Sequence, residues 1–323
     1  MSVDLSPAAI HGREATLLLE VADAEPAAPG IRTLRLRSPD GERLPSFPPG
    51  SHIVVDCGTR RNAYSLTGPG REPETYAISV LLRPDSDGGS EFLHRVRAGE
   101  LLRVSRPRSA FAPVATARRH LYAAGGIGIT PLLSHVRAAT EWGRPFELLY
   151  AHRPGAGAHA AELRELCGER LREFPGRAEF QRALEDAARS QPLGTHLYVC
   201  GPAGLLDFVH AAAARAGWPQ ERVHAERFSA ALDPGEPFTA TLAGTGVRIP
   251  VPAGVSLLEA LERAGTAVPS MCRQGVCGEC RLRVLGGRPL HRDLYLSPEE
   301  RAAGDAVMAC VSRSHDEELE LDL

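Results

Sequence analysis

Cys272-Arg273-Gln274-Gly275-Val276-Cys277-Gly278-Glu279-Cys280 carries three cysteines at x4 and x2 spacing, and a fourth, Cys310, follows after a long gap. This is the spacing of a plant-type [2Fe-2S] centre, with three thiolates on one tight loop and a remote fourth to close the cage. Gly275 and Gly278 let backbone N–H groups approach the sulfurs without a Cβ in the way. A structural zinc site is the alternative, but zinc ribbons use two C-x2-C knuckles, which this pattern lacks.

Outward from the loop, Phe238–Leu242 and Val247–Val251 read as a hairpin, Ser256 caps an amphipathic helix through Ala264, and Arg281–Val284 reads as a strand. These elements place an α+β unit at residues 238–323, after a breaker-rich linker at 229–237. Before the linker, residues 116–228 alternate strands and helices, which predicts a parallel sheet. From His120 a buried strand, a Gly-rich turn and a helix are expected over Leu121–Ala139, then a strand at Phe146–His152, a helix near Ala160–Glu173, and a strand at Leu197–Cys200 followed by a helix. Residues 1–115 carry short alternating runs at Ile31–Leu36, His52–Val55, Tyr76–Leu82 and Leu101–Val104, which predict an antiparallel β-barrel.

The 323 residues are 43% hydrophobic and 24% charged, enough for two or three globular domains. A net charge of -3 and the lack of any basic run exclude a nucleic-acid binder. All 37 basic residues are Arg. No apolar run approaches the length of a membrane span, and Met1–Gly12 has neither a basic nor an apolar leader region, so a cytoplasmic protein away from membranes is expected. Seven cysteines in so long a chain point to metal ligation in a reducing compartment rather than a disulfide framework, with Cys57 and Cys167 as small buried fillers. The acids from Asp316 to Asp322 read as a solvated surface, with steering of a basic acceptor as the alternative.

In the parallel-sheet unit, Gly125-Gly126-Ile127-Gly128-Ile129-Thr130-Pro131 joins an apolar strand to a helix. Such a turn lets backbone come close to a pyrophosphate at a helix N-terminus, although helix–sheet packing alone would also use it. Cys200-Gly201-Pro202 ends another strand, where a nucleotide crevice would lie, or where a buried Cys simply precedes a turn. In the barrel, Asn62-Ala63-Tyr64-Ser65-Leu66 offers an aromatic ring and a hydroxyl to a planar ligand.

Together, Y-S-L, G-G-I-G-I-T-P and C-G-P resemble the ferredoxin-NADP reductase superfamily, and the C-terminal cluster domain is similar to the phthalate dioxygenase reductase and vanillate O-demethylase reductase group. The resemblance implies a flavin β-barrel, an α/β nucleotide domain and a β-grasp ferredoxin domain. It further implies FMN (rather than FAD) held by Asn62, Tyr64, Ser65, Val80, Leu81, Leu82, the phosphate loop Gly88-Gly89-Ser90, Thr130 and Phe228. NADH, with NADPH as the alternative, would be held by Gly125, Gly126, Gly128, Thr130, Pro131, Arg153, Cys200, Gly201 and Pro202. Phe228 would stack on the flavin or serve as core, and Cys200 would lie near the nicotinamide.

The superfamily motif is R-x-Y-S, whereas this chain has Asn62 where Arg is usual, leaving Arg61 or the Gly88–Ser90 loop to hold the phosphate. An acidic residue favouring NADH is missing after Leu149–Pro154 until Glu162, and Arg153 could meet a 2′-phosphate. The implied protein is a monomeric reductase passing electrons from NAD(P)H through FMN and the cluster to a terminal oxygenase, either Rieske-type or cytochrome P450. A redox sensor without turnover is the rival reading.

Overall fold

The computed structural model describes residues 16–58, 61–83, 88–109, 111–228, 234–270, 273, 275, 278–293 and 295–323. Cys272, Cys277 and residues 229–233 of the linker lie outside the described residues. Among the described residues no helix is long and apolar enough to cross a membrane.

The first unit is an antiparallel barrel of β1 (Thr16–Ala28), β2 (Ile31–Arg37), β3 (Ser51–Asp56), β4 (Arg61–Ser65), β5 (Thr75–Leu81), β6 (Leu101–Ser105) and β7 (Arg108–Ser109). The strand order is β4-β3-β6-β1-β2-β5, with β7 beside β3. Pro29-Gly30 turns β1 into β2, proline presetting the first corner and Gly30 taking φ 73 at the second. Alternation sends Leu34 and Leu36 inward against Val21, Ile53, Val55 and Ile78, and leaves Arg35 and Arg37 outside.

Among the described residues the barrel closes only at one end of its last seam. Leu66 bridges Ile78 and the Thr67 N–H donates to Ala77 O at 2.9 Å, after which β4 pairs with β3 alone and β5 with β2 alone. A helix, α1 (Gly89–Arg95), sits at the open end, where sequence patterning reads only a loop. It is pinned by His94 Nε2 donating to Val80 O (2.9 Å) and by Arg32 Nη1 donating to His94 O (2.6 Å).

The second unit is a five-stranded parallel sheet in the order β10-β9-β8-β11-β12. Its elements are β8 (Arg119–Gly125), α2 (Ile129–Glu141), β9 (Phe146–Ala151), α3 (Ala160–Cys167), β10 (Leu171–Phe174), α4 (Arg177–Ser190), β11 (Thr195–Cys200), α5 (Ala203–Arg215) and β12 (Val223–Glu226). The helix expected near Ala160–Glu173 ends at Cys167, because Gly168 takes φ 55 there, and the remainder becomes β10. Both sheet faces are covered: Leu132, Leu133, Val136 and Leu163 lie on one, Phe180, Leu184, Leu206 and Val209 on the other. The barrel docks on the first face, with Gly50 N–H donating to Ser134 Oγ (2.9 Å) and Ser79 Oγ meeting His159 Nε2 (2.8 Å).

The third unit has a mixed sheet, β14-β13-β19-β15-β17, formed by β13 (Phe238–Leu242), β14 (Arg248–Val251), β15 (Arg281–Gly286), β17 (Ala306–Met308) and β19 (Glu318–Leu321). A small ribbon pairs β16 (Pro289–Leu290) with β18 (Arg313–Ser314), α6 (Leu257–Arg263) packs Leu257, Leu258 and Leu261 into the core, and α7 (Pro298–Ala303) completes the unit. Ser256 caps α6 as its sequence suggests, accepting the Glu259 N–H at 3.1 Å.

The acidic run near 316–322 is no free tail. Leu319 and Leu321 are fully buried, while Asp316, Glu318 and Asp322 face Arg288, Arg248 and Arg283 at 2.6, 3.1 and 3.4 Å. These pairs offset part of the run's charge, while exposed Glu317 and Glu320 have no Arg partner among the described ion pairs.

Four imidazoles withdrawn from water, three of them buried and His224 partly so, share one consequence. Burial lowers His52, His120 and His224 to about 4 and His135 to about 3. Above the ordinary value of 6.5 both folded and unfolded chains hold them neutral; below it only the unfolded chain takes up the protons. Stability is therefore expected to drop steeply as pH falls from 6.5 toward 4, and a flat denaturant midpoint across that window would contradict the burial.

Candidate functional site

β8 and β11 are neighbours, so their carboxyl ends bring the two glycine motifs into backbone contact. A Cβ on Gly128 would lie 2.3 Å from Cys200 O and 2.7 Å from Gly201 N, and one on Gly125 would lie 2.7 Å from Leu205 and 3.7 Å from Gly201 Cα. Gly126, at φ 54, faces open space, so the turn presents bare backbone toward the crevice. Thr130 Oγ1 donates to Ile127 O at 3.0 Å, and buried Pro131 lies in the first turn of α2. Tyr150 OH braces the turn from β9, donating to Gly126 O at 3.2 Å. Arg153 is exposed just beyond β9.

Glu226 is a residue that motif reading misses. It pairs in register with Cys200 across β11 and β12, and its Oε2 is sealed from solvent without a hydrogen-bond partner. Desolvation raises its carboxyl to about 8, so near neutral pH it is largely protonated and able to donate a hydrogen bond. Burial, with Glu226 adding to it, also raises the Cys200 thiol and keeps it protonated. Because Glu226 holds its proton in the fold but loses it when unfolded above 4.5, its own contribution to native stability declines as pH rises from 4.5 through 8. Glu226→Gln should therefore raise the unfolding midpoint at pH 8 and leave it unchanged at pH 4; equal effects at both would disprove the buried acid.

The open β4–β5 seam lies beside this crevice. Phe228, half-buried, packs into the same apolar cluster as Leu81 and Ile127, joining the nucleotide unit to β5. Asn62 and Tyr64 share the inner face of β4 with Val55 and Ile53, whereas Ser65 points to the outer face with His52. Tyr64 thus packs on the barrel core, with its hydroxyl hydrogen-bonded to Cys57, and only the seam's edge could present both Tyr64 and Ser65 to one ligand.

Asn62 reaches α1: a Cβ on Gly89 would fall 2.3 Å from its Oδ1, which is buried and unpartnered. Arg61 instead points outward to Asp56 at 4.0 Å, where their residues pair across β3 and β4. Gly88 takes φ 87, Ser90 Oγ accepts the Arg83 N–H at 3.1 Å, and Val80, Leu81 and exposed Leu82 line the other side of the seam.

In the third unit, the Ala309 N–H donates to Cys280 O at 3.0 Å, so the starts and ends of β15 and β17 bring Cys280 and Cys310 together, both buried. Gly275 (φ 74) and Gly278 (φ 81) have no room for a Cβ, which would meet Val311 Cγ2 at 2.6 Å in the first and the Tyr295 ring at 2.3 Å in the second. Buried Asp293 stays the wall of this loop, accepting the Leu296 N–H at 2.9 Å and Ser312 Oγ–H at 3.0 Å. A tight loop of left-handed glycines with paired buried thiols suits an iron–sulfur cluster.

The "Dimethylamine monooxygenase subunit DmmA-like, N-terminal domain" family model matches residues 103–223, and the "2Fe-2S iron-sulfur cluster binding domain" model matches 240–315. The heme-dependent oxidative N-demethylase beta subunit of Ectopseudomonas mendocina is 43% identical over 87% of this chain and 90% of its own length. The solved structure of phthalate dioxygenase reductase, described as modular for electron transfer from pyridine nucleotides to [2Fe-2S], matches with a TM-score of 0.75 and 34% identity over 95% of this chain and 98% of that one. An intact type IV self-sufficient cytochrome P450 monooxygenase matches at TM-score 0.79 and 36% identity over 95% of this chain and 41% of that longer one.

Proposed function

The chain belongs to the phthalate dioxygenase reductase family of oxygenase reductases, and from that premise we propose that it carries electrons from NADH through FMN and a [2Fe-2S] cluster to a separate terminal oxygenase, Rieske-type or P450, in the cytoplasm. The observation that carries this reading is the contact between the Gly125–Gly128 turn and the Cys200–Gly201 turn at the edge of the open β4–β5 seam. When bound, FMN would supply two-electron hydride acceptance from NADH and one-electron release, and the cluster one-electron transfer toward the oxygenase.

The chain's own groups bind and orient. The Gly126 and Gly128 backbone and the start of α2 would take the nucleotide's pyrophosphate, and protonated Glu226 beside Cys200 would hold its carboxamide by hydrogen bonding. Phe228 covers the apolar side of the seam, and the orphan Asn62 Oδ1 fits an acceptor for a ribityl hydroxyl, with the backbone N–H groups opening α1 as donors to the phosphate. Asn62 thus replaces the usual Arg by a neutral contact, and the α1 loop supplies the phosphate donors. Cys272, Cys277, Cys280 and Cys310 would ligate the cluster.

Anaerobic NADH titration of the purified protein should bleach flavin and cluster absorbance at about 1.5 equivalents, two electrons for the flavin and one for the cluster. Mass measurement of the released flavin should give FMN. No bleaching with NADH or NADPH would reject the reading in favour of a sensor.

A further inference from the structure

Ser65 on β4 pairs with His52 on β3, and His52 pairs in turn with Arg108 on β7. Three residues in register on adjacent antiparallel strands point to one face, so this row runs from the seam edge outward across two strand spacings, about 10 Å. At its far end Arg108 Nη2 stands 3.9 Å from Glu279 Oε2, and Glu279 lies between Gly278 and Cys280 in the cysteine loop of the third unit. The contact joins residues far apart in sequence and in different units, and each side chain is about one-third exposed. His52 is buried and neutral, so within this row the charged side chain is that of Arg108.

We propose that Arg108 and Glu279 form a docking pair that positions the cluster loop against the flavin side of the barrel, so that each single electron crosses there. The inference rests on the electron path given under the proposed function. Arg108 and Glu279 act here as positioning residues: neither touches nucleotide or flavin in this account, and neither exchanges protons. An ion pair this exposed shifts an equilibrium by up to about fivefold, and reversing one charge replaces attraction by repulsion. The population of docked loop, and with it the rate of cluster reduction, should follow.

The experiment mixes anaerobic holoprotein with NADH and follows flavin and cluster bleaching as separate phases. In Arg108→Glu the cluster phase is expected to slow about tenfold while the flavin phase keeps its rate. Iron content and the electron paramagnetic resonance signature of the reduced cluster should be unchanged, and small-angle scattering should show a larger maximum dimension. Arg108→Lys should stay near the parent, and pairing Arg108→Glu with Glu279→Arg should restore both rate and dimension.

Cluster reduction at the parent rate in Arg108→Glu overturns the proposal. So does equal slowing of both phases, or a slowed variant that the paired exchange does not rescue. If Arg108→Glu fails to load its cofactors, Arg108→Gln is read in the same way, with a slowed cluster phase alone supporting the pair and a parent-like rate overturning it. Failure of the flavin phase in the parent protein would instead reject the underlying electron path.

Discussion

Replacing Cys310 with Ser is expected to abolish the cluster and cut onward electron delivery by about two orders of magnitude or more, while NADH still bleaches the flavin. Cys310 follows β17, and the hydrogen bond from Ala309 to Cys280 fixes it beside the cysteine that opens β15. No described cysteine is placed to substitute, since Cys57, Cys167 and Cys200 are buried in the other two units. Serine would also leave a hydroxyl in an apolar core with Met308 and Val311, at a cost of about 1–3 kcal/mol. Iron content and visible absorbance read the first effect, and cytochrome c reduction the second. Cys57→Ser is the matched control, a buried thiol in the barrel whose loss should leave the cluster intact. Full iron content in Cys310→Ser would remove Cys310 from the ligand set.

The second large effect is expected at Gly128. A methyl group there meets backbone, Cys200 O at 2.3 Å and Cys200 C at 2.5 Å, and backbone held in the β8–β11 ladder has no flexible end to move aside. Gly128→Ala should force the two turns apart and slow flavin reduction by NADH about a hundredfold, with dithionite reducing the flavin normally. Gly126→Ala is the contrast: a Cβ there has free space, and the cost is that of a left-handed residue, about 1–2 kcal/mol. A parent-like NADH rate in Gly128→Ala would show that the two turns need not touch for hydride transfer.

Local chemistry made much of this legible from sequence. The cysteine spacing, the glycine turns and the Ser256 cap each depend on residues within a few positions of one another, and period-two alternation exposed β2, β3, β5 and β6. What escaped depends on pairing between distant segments. Glu226 looks like any surface acid until the register of β11 and β12 sets it opposite Cys200. Arg108 and Glu279 cannot be linked by any spacing rule. The helix α1 was lost because seven residues opening on Gly-Ser carry little helical periodicity, and the strand β10 because Gly168 breaks a pattern that otherwise continues as helix. In the Glu318–Leu321 run the exposed acids are legible as a surface, but only pairing with β13 and β15 shows that the intervening leucines are buried.

That last strand also orders events during synthesis. β19 lies between β13 and β15, parallel to the first and antiparallel to the second, so the sheet joining the hairpin at residues 238–251 to β15 and β17 cannot close until residues 318–321 are made. All four thiols are translated before that sheet can close. The fourth thiol and the strand that closes the sheet therefore arrive almost together, so the ligand set is completed only as its scaffold is.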